Sequence, residues 1–341
     1  MQYNFLGRTG LRVSALSLGT MTFGGSGSAF FEGVGGTDQK EATAIVHVAL
    51  DHGVNLFDTA DVYSRGVSEQ MLGQALRGRR DQALIATKVH GRMSDEANDL
   101  GQSRHHILQS CEASLRRLGV DHIDLYQLHG YDAYTDWEES LDALTELVRQ
   151  GKIRYIGCSN LSAWHLMKAL SVSERRGFSR FAVLQANYSL VAREAEHELL
   201  PLCEDQNLGF LVWSPLAGGY LSGKYPAQGE ATTPGRRAAV GDPGTIDPDV
   251  AAAVLAAAEE IAKAHSATPA QVALNYLLAK PGVTSVLVGA RSLHQAEDNF
   301  GALTWSLTRE EVAALDAASA RPLPYPYWHQ RQHNGRRYAR A

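Results

Sequence analysis

NLFDTADVY, residues 55–63, holds both the strand pattern and the polar ending that decide the fold. Its short apolar run is typical of a strand buried on both faces. The run ends at Asp58, and Tyr63 follows before a helical pattern starts near Ser68. Two titratable groups at a strand end indicate a ligand site on the rim of a parallel sheet. Taken alone, Asp58 could equally be a helix cap and Tyr63 a packing residue.

Short apolar strands alternate with helical patterns through the chain. Glycines follow several of the helical patterns, for example Gly53 and Gly119, as residues at helix C-termini do. Eight strand–helix repeats predict parallel strands with helices outside them, and eight strands close a barrel. An open, doubly wound sheet is the alternative. The strands are predicted near 16–20, 54–58, 83–88, 122–128, 153–158, 182–186, 208–213 and 284–288, and the helices near 38–52, 68–78, 103–118, 136–150, 162–176, 193–206, 249–264 and 292–302.

Several segments lie outside this alternation. Residues 3–18 read as a β-hairpin, and 23–37 as a long glycine-rich loop that matches no phosphate-binding motif. Two further helices are predicted at 268–280 and 307–320. The tail from 321 onward, with three prolines and three aromatics in 322–328, is predicted to lack regular structure. We expect a single (β/α)8 TIM-barrel domain, 1–341, with a C-terminal substrate loop.

Composition is that of an ordinary soluble chain. Of 341 residues, 44% are hydrophobic and 20% charged, and a net charge of −5 gives no general attraction to nucleic acid or anionic membrane. Since there is neither a long apolar run nor a signal-peptide pattern, we expect a cytoplasmic protein without a membrane span. The three cysteines are far apart, and metal-binding spacings are absent, so neither a disulfide framework nor a metal site is expected.

Polar or special residues follow all eight predicted strands. Each has an ordinary explanation, since a lysine after a strand is usually solvated and a serine often caps the next helix. The ordinary explanation would have to hold at all eight strand ends at once, and this favours a shared functional site. In chain order the strand ends carry Thr20-Met21, Asp58, Lys88, His129, Ser159-Asn160, Gln185 to Asn187, Trp213-Ser214 and Gly289 to Arg291.

Three of these groups, together with Tyr63 in the loop after the second strand, can protonate a substrate oxygen. A tyrosine, with a pKa of about 10, is a poor acid at neutral pH. A lysine beside Tyr63 would stabilise the phenolate, and Asp58 would keep Lys88 charged and in place. His129 would orient the substrate oxygen by a hydrogen bond. Such a site suits carbonyl reduction, in which negative charge builds on an oxygen.

The motifs at these strand ends resemble those of the aldo-keto reductases. The matching segments are DTADVY (58–63), ATK (86–88), DLYQLH (124–129) and IGCSN (156–160), and the likeness runs from Leu6 to about Asn299. Within that family, WSPL (213–216) and GARS (289–292) are similar to the bacterial aryl-alcohol-dehydrogenase-like and potassium-channel β-subunit-like branches.

The resemblance implies a barrel that binds NAD(P)H without a Rossmann fingerprint and acts on a small-molecule carbonyl or alcohol. It implies that Tyr63 is the general acid, supported by Lys88 and Asp58, with His129 orienting the substrate. Oligomerisation is possible. The cofactor-binding residues that the resemblance implies are Gly19, Thr20, Met21, Asp58, Ser159, Asn160, Gln185, Trp213, Ser214, Pro215, Leu216, Gly218, Leu221, Lys224, Gly289, Arg291, Gln295 and Asn299.

Cofactor preference and tail position are two finer expectations. The aldose reductase pattern has basic residues at Gly289 and Gln295 that read the 2′-phosphate of NADPH, and this chain lacks them. Arg291 could read that phosphate instead, which favours NADPH over NADH, or could pair only with Glu297 or Asp298. We expect 322–328 to fold over the barrel mouth beside the substrate, and packing on the barrel's side or on another subunit is the alternative.

A function of another class uses the same residues. A non-enzymatic regulatory subunit that senses redox state while bound to a membrane partner would keep all four catalytic residue types. The absence of a long basic or apolar docking extension favours the enzyme.

Overall fold

The computed structural model describes residues 1–25, 27, 29–223 and 246–338. Eight parallel strands close into a barrel, in the order β10-β3-β4-β5-β6-β7-β8-β9, which confirms the predicted barrel over the open sheet. A separate antiparallel pair, β1 and β2, forms the predicted N-terminal hairpin. The strands are β1 Tyr3–Phe5, β2 Arg12–Ser14, β3 Leu16–Gly19, β4 Leu56–Asp58, β5 Leu84–Val89, β6 Ile123–Leu128, β7 Ile153–Ser159, β8 Val183–Asn187, β9 Gly209–Trp213 and β10 Ser285–Val288.

Helices follow the barrel strands on the outside, and the two predicted extra helices are present as α9 and α11. None of the described helices is long and apolar enough to cross a membrane. The helices are α1 Ala29–Val34, α2 Gln39–Asp51, α3 Val67–Ala75, α4 Arg104–Leu118, α5 Trp137–Arg149, α6 Ala163–Arg176, α7 Leu199–Asp205, α8 Pro248–His265, α9 Pro269–Leu278, α10 Leu293–Gly301, α11 Arg309–Ala318 and α12 Tyr327–Tyr338.

The helix predicted over 193–206 is broken in two. A 3-10 turn at Glu194–Glu196 is followed by the short α7. Arg193 is held by Glu196, its neighbour in the same turn, at 2.8 Å. This local ion pair, together with the hydrogen bond from Arg193 to the hydroxyl of Ser319 at the C-terminus of α11, favours a turn rather than a continuous helix at this position.

Two loop predictions were wrong. The glycine-rich segment 23–37 contains α1, whose last carbonyl groups accept hydrogen bonds from Arg291 and so have partners outside the helix. The tail, predicted to be irregular, forms α12. All three of its prolines lie before residue 327, so none interrupts the helix that follows.

The barrel interior has an apolar lower layer and a polar upper layer. Side chains alternate between the two faces of a strand, so every second residue points inward. The lower inward positions form one apolar cluster, which the hairpin residues Leu6 and Val13 close from below. In six of the eight barrel strands the next inward residue, two positions later, is polar, aromatic or glycine. Leu56, Ala86, Leu125, Val183, Leu211 and Leu287 are followed in this way by Asp58, Lys88, Gln127, Gln185, Trp213 and Gly289.

A buried glutamate ties the helical shell to the third barrel strand. Glu69 of α3 is fully buried, and it accepts a hydrogen bond from the Thr87 hydroxyl at 2.6 Å. Its other oxygen lies 2.6 Å from Nε of Arg117 on α4. Because Thr87 precedes Lys88, this ion pair fixes the strand that carries the lysine of the site.

We expect Glu69→Ala to lower the free energy of unfolding by about 3 kcal/mol, because half-buried Arg117 loses its counter-charge and the buried Thr87 hydroxyl loses its acceptor. The change is measured as a lower urea midpoint. Glu310→Ala, at an exposed position on α11, is the control and should stay within about 0.5 kcal/mol of the parent. Equal effects of the two substitutions would contradict the role given to Glu69.

Candidate active site

A buried ion pair lies at the centre of the barrel mouth. Lys88, at the end of β5, is fully buried, and its Nζ contacts Oδ1 of Asp58 and donates to the Thr59 carbonyl at 2.8 Å. The same Nζ lies 3.5 Å from the Tyr63 hydroxyl. Burial lowers the pKa of Lys88, but the Asp58 carboxylate and Tyr63 outweigh it, so the pKa stands above its ordinary value. The lysine is therefore a cation at neutral pH.

The second oxygen of Asp58 is held by two glutamines. Nε2 of Gln185 donates to Oδ2 at 2.8 Å, and Nε2 of Gln127 donates to it at 3.2 Å. The register of the strands puts these side chains in one layer of the barrel. Gln127 is level with Lys88, the ion-pair partner of Asp58, and Gln185 is level with Ser159. All partners of Asp58 named here are donors, so both oxygens of the buried carboxylate have hydrogen-bond partners.

Tyr63 stands at the start of a 3-10 turn, Tyr63–Gly66, directly after the loop that leaves β4. Ser64 and Arg65 inside this turn have φ of 48° and 50°, in the left-handed region that non-glycine residues rarely adopt. The tyrosine ring packs edge-on against His129, with 5.7 Å between ring centroids. The strained turn therefore aims the phenol at the gap between Lys88 and His129.

His129 is the first residue after β6. Burial lowers the pKa of His129 well below its usual value, and the charge of Lys88 and the nearby His90 lower it further. The imidazole is therefore neutral at pH 7, and one ring nitrogen is a donor while the other is an acceptor. This leaves the ring able to hydrogen-bond an oxygen without adding a second cation to the site.

Ser159 and Asn160 follow β7 and have different surroundings. Oγ of Ser159 is buried and has no hydrogen-bond partner among the described residues. Asn160, with φ of 57°, donates from Nδ2 to the His129 carbonyl at 2.9 Å and accepts from Nε1 of Trp213 at 3.0 Å. A carbonyl only accepts and an indole only donates, so both partners agree on the orientation of the amide. Asn160 thus joins His129 to Trp213.

The turn after β9 holds the next group of predicted cofactor residues. Oγ of Ser214 accepts from the backbone N–H of Gly218 at 3.2 Å, and Pro215 and Leu221 are buried beside half-buried Leu216. At Gly218 a Cβ would meet nothing within 4 Å, so the backbone is open on that side. Lys224 lies outside the described residues.

The end of β3 lies beside the same mouth. Gly19 is its last residue, and a half-buried Met21 follows one position after Thr20. The Thr20 hydroxyl is 2.8 Å from Oγ of Ser68 and 3.1 Å from the carbonyl oxygen of Asp58. This hydroxyl is engaged inside the protein and holds β3 level with β4.

The loop after β10 brings the last predicted residues together. Gln295 accepts from the backbone N–H of Arg291 at 3.0 Å, and Asn299 donates to the Gly289 carbonyl at 3.4 Å. The Arg291 guanidinium donates to the carbonyls of residues 33 and 34, at 2.6 and 3.2 Å, rather than to Glu297 or Asp298. Arg291 therefore anchors α1 to the end of the barrel.

The C-terminal tail contacts the connection between β8 and α7. Arg321 donates to the Val191 carbonyl at 3.2 Å, and the Tyr327 ring stacks on His197 with 5.1 Å between centroids. Tyr325 and Trp328 keep 75% and 48% of their surface exposed. These contacts hold the tail against the βα connection that follows β8, and its position beside the substrate stays a prediction.

Gln127 is a site residue that sequence reasoning did not assign. It binds the Asp58 carboxylate directly. The segment 124–129 was recognised as a motif, but no role was predicted for its glutamine. A glutamine at an inward position of an otherwise buried strand was the available signal, since buried polar side chains need partners.

Asp61, in the loop between β4 and Tyr63, is a second group that sequence reasoning did not assign. Oδ1 accepts from the Val62 N–H at 2.6 Å, whereas Oδ2 is buried with no partner in the described part of the chain. Burial raises the pKa of Asp61 well above its usual range, and the charge of Glu69 raises it further. Folding therefore favours the protonated form of this carboxyl group.

Comparison with known proteins identifies the family of the chain and several of its relatives. Residues 15–320 match the model of the Aldo/keto reductase family. The chain is 39% identical to an uncharacterized oxidoreductase, YrpG, of Bacillus subtilis, over 93% of this chain and 95% of that one. It is 36% identical to a probable voltage-gated potassium channel subunit beta of Arabidopsis thaliana, over 89% and 91% of the two chains. It is 32% identical to the versiconal hemiacetal acetate reductase of Aspergillus parasiticus, over 93% and 96%.

The chain belongs to the aldo/keto reductase family. Membership supports NAD(P)H-dependent oxidoreductase activity in general and fits a small-molecule substrate.

Asp61→Asn, which mimics the protonated carboxyl, should be more stable than the parent at neutral pH. In the unfolded chain an aspartate ionises at about pH 4. Its folded pKa is raised, so the stability it contributes is complete below about pH 4 and is lost as pH rises. The advantage of the variant should therefore be small at pH 4 and larger at pH 6 and 8 in urea unfolding. Asp121→Asn, at an exposed position, is the control, and a pH-independent difference would contradict the inference.

Proposed function

We propose that this protein reduces an aldehyde or ketone to an alcohol with NAD(P)H, with Tyr63 as the general acid. The observation that carries the proposal is the position of the Lys88 ammonium between the Asp58 carboxylate and the Tyr63 hydroxyl. An ammonium held beside a phenol stabilises the phenolate that remains after proton donation. Asp58 keeps that ammonium charged and immobile.

The residues present fit a nicotinamide cofactor. The buried, unpartnered Oγ of Ser159 is a hydrogen-bonding atom that a carboxamide would satisfy. Trp213, half-buried at the end of β9, is fixed by Asn160 and offers a ring face for stacking. The open backbone at Gly218 and Gly219 suits the approach of a pyrophosphate.

When bound, the cofactor supplies the hydride. The chain's own residues supply the proton and the orientation. His129, neutral at pH 7, would hydrogen-bond the carbonyl oxygen, and Tyr63 would donate its proton to that oxygen as charge develops. Asn160 is then a positioning residue, because it fixes the backbone of His129 and the indole of Trp213 together.

Gln185 has a double assignment in this proposal. The family resemblance implies that it binds the carboxamide, whereas its Nε2 donates to Asp58. We propose that it does both, with the amide oxygen directed to the cofactor and the amide nitrogen to the aspartate. The glutamine would then link cofactor binding to the carboxylate that holds Lys88.

Replacing the acid should separate chemistry from binding. Tyr63→Phe should lower kcat for carbonyl reduction by about 10²–10⁴-fold, because it removes only the proton donor. Nicotinamide affinity, measured by fluorescence titration, should be retained, since Ser159 and Trp213 are unchanged. Tyr134→Phe is the matched control, because the Tyr134 side chain is fully exposed. Turnover of Tyr63→Phe within about threefold of the parent would exclude the assignment.

We further propose that NADPH is preferred over NADH, with Arg291 reading the 2′-phosphate. The support is its position one residue before the N-cap of α10, in the loop after the last barrel strand, where barrels commonly bind phosphate. The two contacts to α1 use Nε and Nη2, which leaves the remaining fork for an anion.

Arg291→Ala should weaken NADPH about ten- to hundred-fold and change NADH little, because a charge-assisted hydrogen bond is lost. Fluorescence titration with both cofactors measures this. Arg175→Ala, at an exposed position near the end of α6, is the control. Equal losses for the two cofactors would indicate that Arg291 acts only through α1.

A regulatory, non-enzymatic role is the second candidate, and the likeness to probable potassium channel β subunits favours it. The two roles differ in turnover. An enzyme should oxidise NADPH with an aromatic aldehyde at a rate well above trace. Tight cofactor binding with only trace turnover across aldehydes, sugars and aryl ketones would favour the regulatory role.

A further inference from the structure

Three arginines line one cleft at the end of the barrel opposite the candidate active site. This basal cleft, of about 440 Å³, lies between the hairpin turn, the start of β7 and the segment that leads into β8. Its arginines are Arg8, Arg154 and Arg180, and none of the described residues that line it is acidic. Its wall also includes the aromatic residues Tyr155 and Phe181. Three positive charges therefore border one cavity without a carboxylate among them.

The hairpin turn that carries Arg8 is packed closely against the barrel. Gly7 has φ of 56°, and a Cβ there would lie 2.6 Å from the Asn207 carbonyl oxygen and 2.9 Å from that of Ala182. The N–H of Arg8 donates to the same Asn207 carbonyl at 2.9 Å. Arg8 is thus brought to the cleft by a backbone approach that needs glycine at position 7.

Arg180 is half-buried and only partly satisfied. Its Nη2 donates to the backbone and side-chain oxygens of Gln206, at 3.2 and 2.8 Å, and both acceptors are neutral. Its Nε is buried and has no hydrogen-bond partner in the described part of the chain. A guanidinium that is removed from water without a carboxylate partner is costly, and a bound anion would offset that cost.

The charges around Arg180 add to this cost. Burial lowers the pKa of Arg180 from its usual value, the charge of Arg8 lowers it further, and Glu174 offsets only part of the shift. A neighbouring cleft of about 570 Å³ is lined by the same two arginines but also by Glu174 and Asp205, so its formal charge is balanced. The basal cleft, which has Arg154 instead of the two acids, has no such balance. It is therefore the better of the two for an anion.

We propose that the basal cleft binds a phosphate group, either as free phosphate or as a phosphate ester. A guanidinium presents two parallel N–H groups that match the oxygens of a phosphate, and several of them together balance its double charge. The aromatic wall gives room for the apolar part of an ester. In a barrel of this type the chemistry lies at the other end, so the inference does not depend on the proposed reductase activity.

The test is calorimetric titration of the purified full-length chain with inorganic phosphate at constant ionic strength. Urea unfolding with and without phosphate gives a second readout, because a ligand that binds only the folded chain raises the urea midpoint. Arg154→Gln should weaken phosphate binding about ten- to hundred-fold, since a charge-assisted hydrogen bond is lost. Arg154 is exposed, so this variant should fold as the parent does. Acetate at the same ionic strength should raise the midpoint much less than phosphate, because it carries a single charge.

Three further variants locate the site. Arg180→Gln should weaken phosphate to a similar extent as Arg154→Gln. Arg77→Gln, at an exposed position two residues beyond α3, should leave the affinity within about twofold. Arg291→Ala should also retain phosphate binding, although Arg291 is the residue proposed to read a cofactor phosphate at the other end of the barrel. Loss of binding in Arg291→Ala with retention in Arg154→Gln and Arg180→Gln would overturn the proposal, as would equal effects of acetate and phosphate or no binding to the parent.

Titration with phenyl phosphate distinguishes the two sources of the phosphate group. Binding about tenfold tighter than inorganic phosphate, and weakened by Arg154→Gln, would assign the basal cleft to phosphate esters. Equal or weaker binding would assign it to free phosphate. Binding of phenyl phosphate that Arg154→Gln and Arg180→Gln leave unchanged would count against the cleft as the site.

Discussion

The ion pair between Lys88 and Asp58 is the constraint on which the rest of the mouth depends. Two charges in the interior of a barrel are costly to remove from water unless their remaining donors and acceptors are satisfied. Here the ammonium also reaches the Thr59 carbonyl, and the carboxylate accepts from Gln127 and Gln185. The surrounding strands must therefore keep their register, since a shift of one residue would turn these partners out of the barrel.

The same alternation that fills the barrel also positions the site. Six of the eight barrel strands carry an apolar residue at the lower inward position and a polar, aromatic or glycine residue two positions later. The apolar layer, with the hairpin below it, excludes water from the floor on which the charged layer rests. Burial of this kind explains why the pKa of His129 is low and why Lys88 needs its counter-charge.

Loops outside the strands connect the separate parts of the mouth. Asn160 links His129 to Trp213, and Arg291 links the end of β10 to α1. Phe31 of α1 in turn packs against Tyr63, with 6.2 Å between ring centroids. The region assigned to the adenosine end of a cofactor is thus joined through one short helix to the group assigned as the acid. A contact of this type is a physical route by which cofactor binding could influence the position of Tyr63.

The sequence by itself determined the eight-stranded barrel, its hairpin, the two extra helices and the gathering of Asp58, Tyr63, Lys88 and His129 at one rim. These features follow from local periodicity and from the rule that parallel strands end on the same side, which need no knowledge of distant contacts. Only the tertiary structure decided that Gln127 and Gln185 share the Asp58 carboxylate. It also decided that Arg291 holds α1, that Arg8 of the hairpin and Arg180 line one cleft, and that the tail is helical and lies against 191–198. Each of these depends on a contact between residues far apart in the chain, and the side-chain pattern around either partner carries no trace of the other.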